Sequence, residues 1–378
     1  MNEDIRLGRI AGFPIGINWS VLVIVWLLTW SLADGSLPHD APGHATLTYW
    51  LAGLSGAFLF FGSLIAHELA HALVARRAGV EVKGLTLWLF GGVASLGSEP
   101  GNPRDDFRIA AVGPVTSLAL AGGFGVASVA IDALGVAHIV VSLARWLAGI
   151  NLMLGLFNLV PGAPLDGGRL LRAHLWRRHG DRVRAAVTAA RAGRVVGFTL
   201  VALGLLEVAA GASVGGLWFA FIGWFLLGAA RAEEAAVLTR DVLAGVRVRD
   251  VMSPDPITVP GTLTVDELVD RYVLGSRHSA YPVRDAEGRT TGLVTLALVR
   301  GVPPSARSST LVDAIALPLG RVPIAAPGDA LVGVLGALDG EAGGRVLVFD
   351  GEHLVGIVTA ADVARAIDVG RVRRVPAA

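Results

Sequence analysis

"FFGSLIAHELAHALVARR", Phe60 to Arg77, is an apolar run with three ionisable side chains, His67, Glu68 and His71, set inside it. At 3.6 residues per turn, His67 and His71 share one helix face and Glu68 is turned about 100° away. Two imidazoles at that spacing can bind one metal ion, with the carboxylate in reach of a water on it. This is the zincin arrangement of two His ligands and a Glu base. Arg76 and Arg77 mark where the helix leaves the apolar layer, which puts His71 roughly 8 Å and His67 roughly 14 Å inside it. The neighbours Leu64, Ile65, Leu69, Leu73 and Val74 offer no general polar face. Ionisable groups at such depth are costly and usually functional.

Outward from this run the chain stays apolar. Of 378 residues 53% are hydrophobic, and the mean hydropathy of +0.61 is too high for an ordinary soluble protein. Six stretches approach the roughly 20 residues a membrane helix needs, at 17–33, 47–76, 106–131, 137–160, 191–209 and 214–230. The connections "ADGSLPHDAPGH", "IDALGVAH" and "EVAAGASVGG" carry no cation. The opposite side carries Arg6, Arg9, Arg76, Arg77, Lys83 and then Arg169, Arg172, Arg177, Arg178, Arg182, Arg184 and Arg231. By the positive-inside rule both termini face the cytosol of a multi-pass plasma-membrane protein. The first residues, "MNEDIRLGRIAGFPIGINWS", lack the parts of a cleavable signal, so the first span is expected to remain as an anchor. The net charge of +1 gives no sign of a nucleic-acid partner, and the nine tryptophans fit interfacial belts.

The absence of cysteine excludes disulfides and thiolate ligands, so a metal must take His, Asp or Glu. A catalytic zinc needs a third protein ligand and an open position. His174 and His179 lie in an arginine-rich stretch and read as a solvated juxtamembrane helix. Asp105 and Asp106 head the third span and read as helix caps. Asp166 stands in "NLVPGAPLDGGRLLR", where Pro161 and Pro164 end the fourth span and Gly167 and Gly168 permit sharp turns. Alone it could equally cap the helix that starts near Arg169. Beside His67 and His71, at the same end of their spans, the ligand reading prevails.

Two further regions are not membrane helices. "VEVKGLTLWLFGGVASLGSE", between the second and third spans, is rich in β-branched and large apolar residues and broken by Gly84, Gly91, Gly92 and Gly97. It reads as a hairpin at the cytosolic membrane face, covered by protein because open strand edges do not survive in lipid. Past about residue 245 strands and helices alternate with ordinary polarity, and the pattern repeats: Asp250 and Asp313 are 63 apart, Gly292 and Gly356 are 64 apart. With "GLVTLAL" and "GIVTAAD" this resembles a tandem pair of CBS domains, 246–305 and 306–370, of α/β type.

"HELAH" in one span and "NLVPGAPLDGG" after another resemble the signature of the site-2 protease family of intramembrane zinc metalloproteases, over about residues 1–235. The absence of a PDZ-like insertion and the CBS pair are similar to the compact CBS-bearing branch. The resemblance implies one zinc per chain, held by His67, His71 and Asp166, with Glu68 as base, and it implies that Asn158 lies at the site. The amide of Asn158 could serve a developing oxyanion or an interhelical hydrogen bond. Leu89, Phe90, Gly91 and Gly92 resemble the family's strand beside the active site, where an unwound substrate could pair by β-augmentation. "AAVGPVTS" around Gly113 resembles its small-residue motif, for which helix packing is sufficient reason. The CBS nucleotide pattern is complete as Gly356, Thr359 and Asp362, whereas Leu298 replaces the acid of the first repeat. One site for ATP or AMP is therefore expected, or else a purely structural pair that dimerises.

The function expected is cleavage of a transmembrane segment of a membrane-protein substrate near the cytosolic leaflet. The resemblance implies a membrane-tethered regulator or anti-sigma factor as that substrate. The rival readings are a CBS-regulated transporter or channel, and a scaffold with a structural metal. Several polar-lined spans or four metal ligands would favour these, and neither is seen. Arg145 and Glu207, both toward the outer side, are expected to pair.

Overall fold

The computed structural model describes residues 5–88, 91–96, 99–211 and 213–374. The chain divides into two compact units, Met1–Val237 and Leu238–Ala378.

Six helical segments are long and apolar enough to cross a membrane: Ser20–Asp40, Thr46–Arg77, Pro103–Ala133, His138–Asn158, Arg182–Ala209 and Gly215–Val242, the last of which starts in the first unit and ends in the second. They match the six spans read from hydropathy. The first is longer than expected, because helix α1 (Ser20–Trp30) runs through a π-helical stretch, Ser31–Ser36, into α2 (Leu37–Asp40). Most of the cation-free connection is therefore helical. α3 (Thr46–Arg77), α4 (Pro103–Ala133) and α5 (His138–Asn158) follow. The basic α6 (Asp166–His179) is too short to span, and α7 (Arg182–Ala209) and α8 (Ser213–Val242) come after it. α7 and α8 meet backbone to backbone, since a Cβ on Gly204 would strike Gly216 and Ala220. Small residues permit such contact in lipid.

The expected hairpin is there, but it is half of a larger sheet. β1 (Ile5–Ile10) and β2 (Phe13–Ile17) form a second hairpin before the first span. β2 runs parallel to β3 (Val82–Trp88), with Ile15 opposite Leu85, and β3 pairs antiparallel with β4 (Gly91–Leu96), with Trp88 opposite Gly91. In the order β1-β2-β3-β4 the edges are β1 and β4. Phe13, Ile15 and Leu85 are buried with Ala72 of α3, and Ile65, Leu69 and Leu73 pack on them. The sheet thus lies on the stretch of α3 that carries the histidines.

Two polar expectations change. Asn102, not Asp105 or Asp106, caps α4: its Oδ1 accepts from the Asp105 N–H at 2.9 Å, with Pro103 opening the helix. Arg145 pairs with Asp132 at 3.0 Å rather than with Glu207, because the short turn after α4 sets α5 antiparallel beside it.

The second unit holds two four-stranded sheets, β6-β7-β8-β9 and β10-β11-β12-β5. Its strands are β5 (Ser253–Pro254), β6 (Val259–Pro260), β7 (Ala280–Arg284), β8 (Thr290–Thr295), β9 (Leu317–Pro318), β10 (Ile324–Ala325), β11 (Arg345–Asp350) and β12 (His353–Thr359). The repeats exchange strands: β5 of the first closes the sheet of the second, and β9 of the second closes the sheet of the first. Leu293, Val322, Ala342, Leu347 and Ile357 form a core drawn from both.

Candidate metal centre

α3 supplies His67 and His71 from successive turns, 3% and 5% exposed. α5 ends at Asn158, and the chain turns through 159–165 into α6, whose first residue is Asp166. The cap position of α6 belongs to Leu165, so Asp166 is not the helix cap that the sequence left as its alternative. Instead its carboxylate meets the two imidazoles. Asp166 Oδ2 is 3.2 Å from His67 Nε2 and 3.1 Å from His71 Nε2, and the two Nε2 atoms are 3.2 Å apart. Among the described residues this is the one group of three or more His, Asp or Glu able to hold a metal ion.

Does the donor set fit zinc? Bonds of about 2.0–2.1 Å in a tetrahedron place ligand atoms about 3.3 Å apart, close to the triangle observed. The partner of the outer nitrogen constrains the tautomer at His71. His71 Nδ1 lies 2.5 Å from the Ile109 carbonyl, which can only accept, so Nδ1 carries a proton, and in the neutral ring that a metal ion requires Nε2 turns its lone pair to the triangle. Ser117 Oγ, 2.9 Å from His67 Nδ1, permits the same tautomer there. With both rings neutral, three lone pairs face one another in a buried space and repel unless a cation stands among them. Two nitrogens and one oxygen leave a fourth position free, as catalytic zinc requires.

α4 is therefore more than packing. Ile109, Gly113 and Ser117 fall on one face at four-residue spacing. The first and last hold the imidazoles, and a Cβ on Gly113 would overlap Nε2 of both. The spacing was available in "AAVGPVTS"; the carbonyl of Ile109 carries no residue-type signal at all. One turn before Ile109, Asp106 is 1% exposed and receives Arg172 on both oxygens, at 2.8 and 2.6 Å, with Arg169 at 3.5 Å. That pair ties α4 to the helix carrying Asp166, and reading Asp106 as a cap missed it.

Glu68 stands outside the triangle. A Cβ on Gly92 would fall on its Cγ, Cδ and Oε1, so the carboxyl lies against the edge strand β4. Leu89 and Phe90 lie outside the described residues. The amide of Asn158 donates to Leu154 O at 3.0 Å within its own helix. His179 is exposed, its Nδ1 3.1 Å from Leu175 O, and His174 is exposed on the same helix. In the second unit, Gly356 lies in β12, and Thr359 ends it, opening helix α9 (Ala360–Arg374). Asp362 Oδ2 accepts from the Thr359 N–H at 2.9 Å and its hydroxyl at 2.7 Å. In the first repeat Thr295 Oγ1 accepts from the Leu298 N–H at 3.4 Å, so the turn persists without the acid.

Comparison with known proteins places these features. The profile of Peptidase family M50 matches residues 55–133 and 124–203, and that of the CBS domain matches 248–300. Rip3 of Mycobacterium tuberculosis, named as a zinc metalloprotease, is 56% identical over 98% of this chain and 94% of its own. A Synechocystis protein, also named as a zinc metalloprotease, is 34% identical over 83% and 82%. The structure of the site-2 protease from Methanocaldococcus jannaschii aligns over 61% of this chain and 94% of its own at 27% identity, with a TM-score of 0.41.

Proposed function

The chain belongs to peptidase family M50, the site-2 proteases, membrane zinc metalloendopeptidases here joined to a CBS region, and on that premise we propose that it cuts within a transmembrane segment of another membrane protein, near the cytosolic leaflet. The single observation that carries this reading is the triangle in which His67 and His71, buried on a helix long enough to span a bilayer, meet Asp166 at the start of α6. These three residues would hold the zinc. When bound there, zinc supplies a Lewis acid that polarises the scissile carbonyl and acidifies a water. Glu68 takes the proton of the attacking water and passes it to the leaving nitrogen. Asn158 donates to the developing oxyanion with the second N–H of its amide, the first being held by Leu154 O.

A helical substrate hides its carbonyls and must unwind locally. The edge of β4 supports a place for it, because an extended peptide added beside Gly91 and Gly92 passes Glu68. The arginine distribution supports cytosolic termini. The substrate class we favour is a membrane-tethered regulator or anti-sigma factor. The test is the full chain in liposomes with a single-span anti-sigma factor, its products located by mass spectrometry. A cut inside the substrate's membrane segment is expected, stopped about 100-fold or more by chelation and restored by zinc. Cleavage confined to a soluble loop, or indifferent to chelator, defeats the reading.

For the CBS region we propose one adenine-nucleotide site, for ATP or AMP, built on Gly356, Thr359 and Asp362, and association of the pair into a homodimer. One oxygen of Asp362 is engaged by Thr359, which leaves the other to receive ribose hydroxyls. Titration of full-length protein with ATP and AMP should show binding that Asp362→Ala weakens about 10-fold or more, as loss of charged hydrogen bonds implies. Equal affinity in both proteins removes Asp362 from the site.

A further inference from the structure

We infer that Asp106, with Arg172 and Arg169, is a positioning residue that sets the third metal ligand against the other two. The inference rests on zinc at His67, His71 and Asp166. α3 and α4 are indexed to one another at the site itself, through Ile109 O on His71, Ser117 Oγ on His67 and the close approach at Gly113. Among the described residues, α6 makes no such bond at the site to α3 or α4 apart from Asp166. It packs along α4 and α7, and its polar tie to α4 is the buried fork one turn before Ile109. Arg172 Nε and Nη2 each meet a different oxygen of Asp106, at 2.8 and 2.6 Å, and Arg169 Nη2 reaches Oδ1 at 3.5 Å.

Two parallel bonds to a planar guanidinium fix angle as well as distance. Arg169 and Arg172 lie three and six residues after Asp166, so the fork grips α6 within two turns of the ligand. Behind that point, Gly167 and Gly168 abut the backbone of 159–163. The start of α6 is thus seated on one side by glycine contact and registered on the other by charge. A triangle with edges of 3.1–3.2 Å leaves little room for a shift of α6.

An ion pair that merely held the fold would alter thermal stability and nothing else, so the test reads the metal. Wild type, Asp106→Asn and Arg172→Lys are purified full length, and zinc affinity is measured by chelator competition. The d–d spectrum of the cobalt(II)-loaded proteins is recorded alongside. Glu234→Gln is the control; it breaks the pair of Glu234 with Arg191 and Arg194 between α7 and α8. Zinc affinity should fall roughly 10-fold in Asp106→Asn, the lower end of the range for losing a group bonded directly to a metal ligand, because Asp106 acts on the ligand through α6. The cobalt spectrum should change with it. Arg172→Lys keeps the charge without the fork and should move both readings the same way, and it decides the matter if Asp106→Asn does not fold. Glu234→Gln should change neither. Wild-type affinity and spectrum in Asp106→Asn or in Arg172→Lys overturn the inference, whatever happens to stability. A wild-type protein that binds no zinc overturns the site reading instead, so the two failures are distinct.

Discussion

Glu68→Gln should abolish peptide cleavage and leave one zinc bound per chain. Glutamine keeps the size of the side chain and its hydrogen-bonding oxygen, but it cannot take a proton at neutral pH. A positioned general base contributes about 10²–10⁴-fold, equivalent to roughly 3–5 kcal/mol of barrier. The retained metal is as informative as the lost rate. Glu68 lies against Gly92 of β4 and outside the triangle of donors, so its charge is not needed to hold the ion. Zinc content by elemental analysis and cleavage of a reconstituted substrate check the two halves separately. Cleavage near the wild-type rate would end the assignment of Glu68 as base. Lost zinc would mean that Glu68 is a ligand, against the geometry.

How much of this could be read without coordinates depended on whether side chains carried the signal. The meeting of His67 and His71 could be, because helix periodicity alone puts the imidazoles on one face. Asp166 could be, because arginine counts put the end of the fourth span on the same side. The β1–β2 hairpin was missed. Its turn at Ala11 and Gly12, with φ of 50° and 88°, uses alanine where Asn or Asp would have announced it. Asp106 was misread because an acid near a helix start suggests a cap, while Asn102 and Pro103 already supplied that start. Arg145 was paired with Glu207 on depth alone, and depth does not say which neighbour a hairpin brings close. The Ile109 carbonyl could not be found, since every residue has one.

Asp166→Ala should lower zinc affinity by about two orders of magnitude. Sites with four protein ligands bind zinc with roughly 10–16 kcal/mol, or about 3 kcal/mol per ligand, and each 1.4 kcal/mol is tenfold. The loss should be local. Leu165, not Asp166, occupies the cap position, and Gly167 and Gly168 seat the start of α6 on the preceding loop. The fork from Arg172 to Asp106 does not involve Asp166 either. α6 therefore has every reason to keep its place, and the two imidazoles keep their outer contacts with Ile109 and Ser117. What disappears is the one negative charge among the donors and the third corner of the triangle. Chelator competition on the full-length protein measures the change. Unchanged stoichiometry and affinity would remove Asp166 from the site. The His67–His71 pair would then need a third partner from elsewhere, and the described residues place no other His, Asp or Glu with them.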